Sequence, residues 1–220
     1  ELISMKNLSL YHITRPSNLK ENAPALIMFH GYGSDENDLF SFASELPKEL
    51  FIISVRAPYQ MQPFGNAWYA INFDANQNKW SDDEQAKTSR DKISNFIDEA
   101  VRHYPIDKNN INLLGFSQGT ILSYAVALSY PEKVNNVIAL SGYINLDIIS
   151  KDVQNKDLSH LSFYCSHGSV DQVIPVEWAR RTPEILKQLK VDYVYEEFPV
   201  GHGVAPQNFY AFKNWLVDKI

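Results

Sequence analysis

The sequence predicts an α/β domain with a mostly parallel central sheet and helices on both faces. Short, nearly continuous apolar runs alternate with segments of helical periodicity along the chain, a pattern typical of parallel strands buried on both faces. No internal repeat, low-complexity tract or Pro/Gly/Ser-rich linker interrupts this alternation. We therefore expect the 220 residues to form one domain, 1–220, large enough to bury roughly 70% of the surface of the extended chain.

The elements follow from the apolar periodicity. Seven β-rich runs are predicted as strands, at residues 8–14, 25–30, 51–55, 111–116, 136–140, 161–166 and 192–198. The first run alternates apolar and polar residues, which is typical of an antiparallel strand at the edge of a sheet. Helical patterns lie at residues 36–46, about 83–104, 118–130, about 176–190 and 207–219.

Two intervals depart from this rhythm. Residues 56–81 (RAPYQMQPFGNAWYAINFDANQNKWS) form a connection far longer than is usual in an α/β unit, and long ordered loops are often functional. Residues 141–160 are too few for a large helical lid between two strands. We therefore expect an open site, or one partly covered by the 56–81 loop.

Composition excludes several classes of function. The formal net charge is −6 without a basic stripe or arginine cluster, so nucleic acid is not an expected partner. No apolar run approaches the ~20 residues that span a bilayer, and the N-terminal residues lack a signal-peptide pattern. We expect a cytoplasmic protein. The single Cys165 precludes an internal disulfide and is interpreted as a core residue.

Apart from His30 and His202, which are considered below, the histidines show no metal-binding spacing. They are His12, His103, His160 and His167, and none belongs to an HExxH motif. We interpret them as structural and expect neither a metal nor a cofactor.

A serine between two glycines is the first candidate for catalysis. The predicted strand 111–116 leads directly into GFSQG (115–119), which opens a predicted helix. Gly-x-Ser-x-Gly between a strand and a helix predicts a sharp turn that exposes a nucleophile, here Ser117, and directs the N–H of Gln118 toward the oxyanion. A helix-capping serine is the alternative, but it explains Ser117 and not both glycines.

The base is predicted to be His202. It lies in PVGHG, after the predicted strand 192–198 and before the last helix, at the carboxyl edge of the sheet, where α/β ligand sites form. Its late position fits the order serine, acid, histidine of doubly wound hydrolases. A surface or core imidazole is the alternative.

The acid is predicted to be Asp171. It lies in HGSVDQVIP (167–175), a loop after a strand and before a helix, where a carboxylate could hold the imidazole Nδ1–H. A turn or helix-cap aspartate is the alternative. The competing carboxylates are less well placed, because Asp192 begins its strand and Glu196 and Glu197 lie within it.

A second oxyanion donor is expected after an earlier strand. Residues 25–30 end in HGYG (30–33), a reduced form of the HGGG-type motif, and the N–H of Tyr32 is the predicted donor. His30 is interpreted as a supporting residue. Asp35, Glu36 and Asp38 are interpreted as capping residues of the helix that follows.

Six motifs together carry a family resemblance. They are FHGYGSDENDL (29–39), NAWYAI (66–71), GFSQG (115–119), LSGY (140–143), HGSVDQVIP (167–175) and GHGV (201–204). In these motifs the chain resembles the phospholipase/carboxylesterase family of α/β-hydrolases, which includes small bacterial carboxylesterases and acyl-protein thioesterases/lysophospholipases. The thioesterase branch often carries an aspartate directly after HGxG, where this chain has Ser34.

The resemblance implies an α/β-hydrolase fold and a function. It implies Ser117, Asp171 and His202 as a catalytic triad, the N–H groups of Tyr32 and Gln118 as an oxyanion hole, and a segment around Trp68 that helps wall the acyl site.

The predicted substrate is a small or medium carboxylic ester, cleaved through an acyl-enzyme. Trp68 and Tyr69 lie in the long loop and are predicted to line an acyl or alcohol pocket. A lysophospholipase or acyl-protein thioesterase acting on long acyl chains is the alternative. A peptidase and a catalytically silent binding protein are less well supported. A homodimer is one expected assembly.

Overall fold

The computed structural model describes residues 6–73, 75–76 and 79–220. Its strands, in chain order, are β1 His12–Arg15, β2 Ala23–Phe29, β3 Phe51–Val55, β4 Tyr59–Gln60, β5 Asn66–Ala67, β6 Ile71–Phe73, β7 Lys79–Ser81, β8 Ile106–Phe116, β9 Asn136–Leu140, β10 Ser162–Gly168 and β11 Asp192–Phe198. Its α-helices are α1 Asn37–Phe40, α2 Asp83–His103, α3 Gln118–Ser129, α4 Val176–Ala179, α5 Thr182–Gln188 and α6 Pro206–Val217.

Seven strands form one central sheet in the order β1-β3-β2-β8-β9-β10-β11. The pairs from β3 to β11 are parallel, whereas β1 pairs antiparallel with β3 at one edge. The mostly parallel sheet confirms the predicted fold class, and the antiparallel edge strand was predicted from its alternating pattern.

Both faces of the sheet are covered by helices. Alternate residues of β2 enter different hydrophobic clusters: Ile27 and Phe29 pack with residues of α2 and α3, whereas Leu26 and Met28 pack with residues of α6. All twelve residues of α3 are buried, because this helix lies between the sheet and α2. The helices cover the faces of the sheet, so the carboxyl ends of the parallel strands are accessible at one edge of the domain.

Some predicted elements differ from the observed ones. The helix predicted at 176–190 is two helices, α4 and α5, because Pro183 occupies the first turn of α5 and a proline cannot continue a preceding helix. The helix predicted at 36–46 is reduced to α1 and a 3₁₀ turn. The edge strand begins at His12 and not at residue 8, and the N–H of Ser9 bonds to the side chain of Glu99.

Two long connections at the edge of the sheet contain only short elements. Within the long 56–81 segment, β4 pairs with β5 and β6 pairs with β7 as two short antiparallel hairpins. Residues 141–160, all of them described, contain two 3₁₀ turns and no longer helix, as expected for a site without a large lid. No helix in the described part of the chain combines the length and apolarity required to cross a membrane.

Candidate active site

Ser117 occupies the sharp turn between β8 and α3. Its backbone has φ 55° and ψ −116°, a combination that non-glycine residues adopt at a cost of order 1–3 kcal/mol. The turn is held because the Ser117 N–H donates to the Leu140 carbonyl (3.0 Å) and its own carbonyl accepts from the Thr120 N–H (3.0 Å). The predicted strand–turn–helix context of this serine is therefore present.

The flanking glycines allow close backbone approach. A Cβ at Gly119 would overlap the Phe29 carbonyl, and one at Gly115 would lie 2.6 Å from the Gly119 carbonyl oxygen. Neither glycine has a positive φ, so the unusual backbone conformation of the turn falls on Ser117 itself. The two glycines let β8, α3 and the end of β2 pack tightly around it.

The three predicted catalytic side chains meet at the carboxyl edge of the sheet. Ser117 Oγ lies 3.0 Å from His202 Nε2, and His202 Nδ1 lies 2.7 Å from Asp171 Oδ2. With Nδ1–H donating to the carboxylate, Nε2 of the neutral imidazole is left to accept the hydroxyl proton of Ser117. Strands β8, β10 and β11 each end at one of the three loops involved.

Asp171 is held as a carboxylate. Its other oxygen, Oδ1, accepts the N–H groups of Val173 (2.8 Å) and Ile174 (2.9 Å). Burial opposes ionisation and is the largest single influence, but the hydrogen bonds from His202, Ile174 and Val173 together lower the pKa of Asp171 below its ordinary value. The side chain is therefore suited to orient a histidine while remaining charged.

His167 also contacts this carboxylate. Its Nε2 lies 2.8 Å from the Ile174 carbonyl oxygen and 3.2 Å from Asp171 Oδ2, and its side chain is fully buried. Its Nδ1 has no hydrogen-bond partner among the described residues. The sequence pattern predicts only a structural role for His167. The signal that could have found the contact is its position four residues before Asp171 in HGSVD.

The loops that carry the acid and the base are packed together by Gly168. A Cβ at this position would overlap the Gly201 carbonyl oxygen, and the N–H of Ser169 donates to the Phe198 carbonyl (2.8 Å). The ring of Phe116 lies 4.9 Å from the imidazole ring of His202. These contacts fix the distance between Asp171 and His202.

The two predicted oxyanion donors, Tyr32 and Gln118, line the same cavity as Ser117. Gly31 is so close that a Cβ there would lie 3.3 Å from Ser117 Cβ. The turn after Gly31 is fixed because Ser34 N donates to the Gly31 carbonyl (3.2 Å) and Gly33 N to the Asn66 carbonyl (2.8 Å). Tyr32, whose N–H is the predicted donor, lies between Gly31 and Gly33 in this turn. Gln118 is the first residue of α3, where helical N–H groups lack an intrahelical acceptor.

The imidazole of His30 links this turn to the chain after β3 through two hydrogen bonds. Its Nε2 accepts the Ala57 N–H (3.0 Å), so Nδ1–H donates to the Gly31 carbonyl (2.7 Å). Burial lowers the pKa of His30, which keeps the ring neutral, as this pair of bonds requires. The supporting role predicted for His30 agrees with these contacts.

The acidic residues near α1 divide between two roles. Asp35 Oδ1 accepts the Asn37 N–H (2.8 Å), in keeping with the predicted capping. Glu36 is the N-cap residue of α1, but its side chain makes no cap bond with the described residues, so the predicted side-chain capping is wrong. Its buried carboxylate instead receives two bonds from Arg56, at 2.6 and 2.8 Å. The arginine holds the start of α1 against the end of β3.

A sequence model of the family described as Phospholipase/Carboxylesterase matches residues 13–220. The chain belongs to the phospholipase/carboxylesterase family. It is therefore a serine hydrolase, an enzyme of the esterase and thioesterase class.

Named members of the phospholipase/carboxylesterase family match nearly the full chain. Acyl-protein thioesterase 1 of Debaryomyces hansenii is 24% identical over 210 residues, which cover 88% of this chain and 90% of the relative. Lysophospholipase-like protein 1 of Mus musculus is 24% identical over 215 residues, covering 90% and 88%.

Solved structures of similar fold include two esterases. The Bacillus cereus carboxylesterase superposes with a TM-score of 0.83 at 19% identity, covering 97% of this chain and 96% of that one. Esterase PE8 superposes with a TM-score of 0.82 at 22% identity, covering 97% and 100%. At these identities the likeness supports the fold.

In this member of the phospholipase/carboxylesterase family, Ser117 opens into a cavity of about 540 Å³. Its wall is largely aromatic and includes the side chains of Tyr32, Tyr69, Phe116, Tyr143, Trp80 and Trp178. The rings of Tyr143 and Trp178 meet edge to face with 5.2 Å between centroids. The cavity is suited to an apolar group attached to a carbonyl carbon at Ser117.

The two predicted pocket residues have different positions. Tyr69 lines the cavity, and burial raises the pKa of its phenol far above the ordinary value, so the hydroxyl stays neutral. Trp68 is 0% exposed and belongs to the core. The prediction that Trp68 lines the pocket is therefore corrected: its indole N–H donates to the His30 carbonyl (2.8 Å), which turns the ring away from the cavity.

Cys165 is not an alternative nucleophile. It is buried in β10, and burial raises the pKa of its thiol to about 12. A thiol of this kind remains protonated at neutral pH and reacts poorly.

Proposed function

We propose that this protein is a serine carboxylesterase that hydrolyses small to medium carboxylic esters through an acyl-enzyme intermediate. The observation that carries the proposal is the continuous chain from Asp171 through His202 to Ser117, with hydrogen-bond distances of 2.7 and 3.0 Å, ending at an apolar cavity. A weakly nucleophilic hydroxyl requires such a base, and the base requires an orienting acid.

In the first half-reaction, His202 Nε2 takes the Ser117 hydroxyl proton while Oγ bonds to the ester carbonyl carbon. The carbonyl π electrons move to oxygen, where the N–H groups of Tyr32 and Gln118 stabilise the negative charge. When the C=O bond re-forms, the alcohol leaves with the proton from His202, and the acyl group remains on Ser117. Water then repeats these steps and releases the acid.

The lining of the cavity supports a short or medium acyl group. Its volume of about 540 Å³ is bounded by large aromatic side chains, among them Tyr69, Tyr143 and Trp178. These rings place a largely apolar, partly open space next to Ser117.

A long-chain substrate is the second candidate. Phe73 and Trp80, on β6 and β7, line one side of the cavity and are 64% and 51% exposed. These side chains could extend the apolar surface for a long acyl chain. The names of the relatives, acyl-protein thioesterase and lysophospholipase-like protein, agree with this alternative.

Hydrolysis across a series of substrates distinguishes the candidates. We would measure kcat/KM for p-nitrophenyl esters from acetate to palmitate, a palmitoyl thioester and a lysophospholipid. The proposal predicts a maximum among the short and medium esters. A maximum on palmitoyl substrates or lysolipids would replace it by the alternative.

Ser117→Ala tests the nucleophile in the same assay. We expect the variant to lose at least about 10³-fold in kcat. Ser159→Ala is the matched control, because Ser159 is exposed, bonds to Asp157 and does not line the cavity. Equal turnover by Ser117→Ala and the control would overturn the assignment of the nucleophile.

We further propose a homodimer and a cytoplasmic location. Light scattering of the purified chain measures the assembly, and cell fractionation measures the location. A monomeric mass or a membrane or secreted fraction would contradict the respective proposal.

A further inference from the structure

Tyr69 lines the cavity and lies in a short segment, residues 68–70. Several backbone N–H and carbonyl groups of this segment form hydrogen bonds with side chains from other parts of the chain. The Trp68 N–H donates to Gln118 Oε1 (2.7 Å), and Gln118 Nε2 donates to the Tyr69 carbonyl (2.8 Å). From helix α2, Ser89 Oγ donates to the Trp68 carbonyl (2.5 Å), and Gln85 Oε1 accepts the Ala70 N–H (2.8 Å). The position of Tyr69 therefore depends on side chains distant in sequence.

Gln118 has two separate contacts with the site. Its backbone N–H is the proposed oxyanion donor next to Ser117. Its side chain is 2% exposed and is fully engaged with the 68–70 segment. The pair of bonds needs one acceptor and one donor at the end of a side chain of this length, which a glutamine amide supplies. Glutamate would lack the donor, and methionine would lack both groups.

The indole side chain of Trp68 adds a further hydrogen bond to this network. Its indole N–H donates to the His30 carbonyl (2.8 Å), two residues before Tyr32, the other proposed oxyanion donor. The wall segment is thus bonded to both turns that flank Ser117. Movement of Tyr69 relative to the oxyanion hole would break at least one of these buried bonds.

We propose that the Gln118 side chain is a positioning residue that sets substrate selectivity. It holds Tyr69 in the cavity wall at a fixed place relative to the oxyanion hole. This inference rests on the proposed function, because it concerns the same cavity and the same reaction. It also assigns a role to the buried Trp68, which anchors the wall instead of contacting substrate.

The test compares Gln118→Met with the matched control Gln188→Met, whose residue is exposed on α5. Both keep the backbone N–H at position 118. We expect Gln118→Met to change the ratio of kcat/KM between p-nitrophenyl hexanoate and p-nitrophenyl acetate by about 10-fold, since Tyr69 loses its fixed position. The larger part of the change is expected in KM for the hexanoate. Gln188→Met is expected to leave the ratio unchanged.

Two further variants keep the test decisive. Gln118→Glu retains the acceptor for the Trp68 N–H but places a buried carboxylate oxygen against the Tyr69 carbonyl, so it is expected to change the ratio at least as much as Gln118→Met. In the double variant with Tyr69→Ala, the effects of the two substitutions on the ratio are expected to be non-additive, because both act through one wall. Equal losses on both esters, or additive effects, would overturn the proposal.

Labelling of Ser117 separates this inference from the proposed function. Ethyl and hexyl fluorophosphonates form a covalent bond to an activated serine and release fluoride, without any need for turnover. If the wild-type protein hydrolyses no ester, the proposed function fails, but the ratio of labelling rates still tests Gln118. An unchanged ratio in Gln118→Met would then overturn the positioning role by itself.

Discussion

At the scale of single residues, the Asp171 carboxylate has a complete set of partners. One oxygen faces His202 and His167, and the other accepts two backbone N–H groups. The N–H bonds on Oδ1 leave Oδ2 to hold the imidazole of His202 in one tautomer. The geometry therefore assigns the two oxygens different tasks: one fixes the acid in its loop and the other orients the base.

Replacement of the acid tests this division. Asp171→Asn is expected to lower kcat by about 10⁴-fold, because an amide NH₂ facing His202 would favour the wrong tautomer. Asp192→Asn is the control, since Asp192 is a competing carboxylate that pairs with Lys219 at the surface. Steady-state kinetics on the preferred ester measure both. A larger loss in Asp192→Asn would contradict the assignment of the acid.

Gly119 is expected to be intolerant of any side chain. Gly119→Ala would drive a methyl group into the Phe29 carbonyl and should destabilise the fold by about 3 kcal/mol or more. Gly203→Ala is the matched control, because no other described residue lies within 4 Å of a Cβ built there. Urea unfolding measures both; similar midpoints would show that α3 can move away from β2.

At the scale of elements, the Glu36–Arg56 pair joins the start of α1 to the end of β3. The Glu36 side chain is 4% exposed and the Arg56 side chain 40%. The hydrogen bond from Arg56 lowers the pKa of Glu36 below its ordinary value, against the effect of burial. A carboxylate whose folded pKa is depressed stabilises the fold above its unfolded pKa, about 4.3, and loses that contribution as pH falls through the folded pKa.

Glu36→Gln should therefore destabilise the protein in a pH-dependent way. At pH 7 we expect a loss of about 1–2 kcal/mol, moderated by the exposure of Arg56. The difference from wild type should shrink below about pH 4. Urea unfolding at several pH values measures it, with exposed Glu132→Gln as the control. A loss that is constant with pH would contradict an ionic role for Glu36.

The sequence predicted the elements that burial dictates. Most strands of the central sheet and helix α3 are nearly continuous apolar runs, and their order alone places Ser117, Asp171 and His202 at one edge of the sheet. The 56–81 segment has no such apolar run. The orientation of Trp68 depends on bonds to Gln118 and His30, 50 and 38 residues away along the chain, so no local pattern could distinguish it from Tyr69.

At the scale of the whole molecule, the sheet and its two hydrophobic layers span the described chain. Strand β8 pairs with β2 and β9 in the middle of the sheet, so residues distant in sequence share one core. The loops that carry Ser117, Asp171 and His202 all follow strands of this sheet, and local loss of the sheet would separate them. The single domain over 1–220 stays a prediction, which unfolding experiments can test.

A single domain should unfold in one step. Far-UV circular dichroism, tryptophan fluorescence and esterase activity are expected to show the same midpoint in urea. Two separated transitions, or loss of helical signal before loss of activity, would contradict a single cooperative unit.

The backbone conformation of Ser117 has a consequence for the whole protein. Alanine at this position keeps the same unfavourable φ of 55°, whereas glycine adopts it readily. We expect Ser117→Gly to be more stable than Ser117→Ala by about 1 kcal/mol, measured by urea unfolding, although both are inactive. Equal stability of the two variants would mean that the backbone conformation at position 117 carries no cost in free energy. If the difference is found, natural selection for turnover and selection for thermal robustness act in opposite directions at this one position.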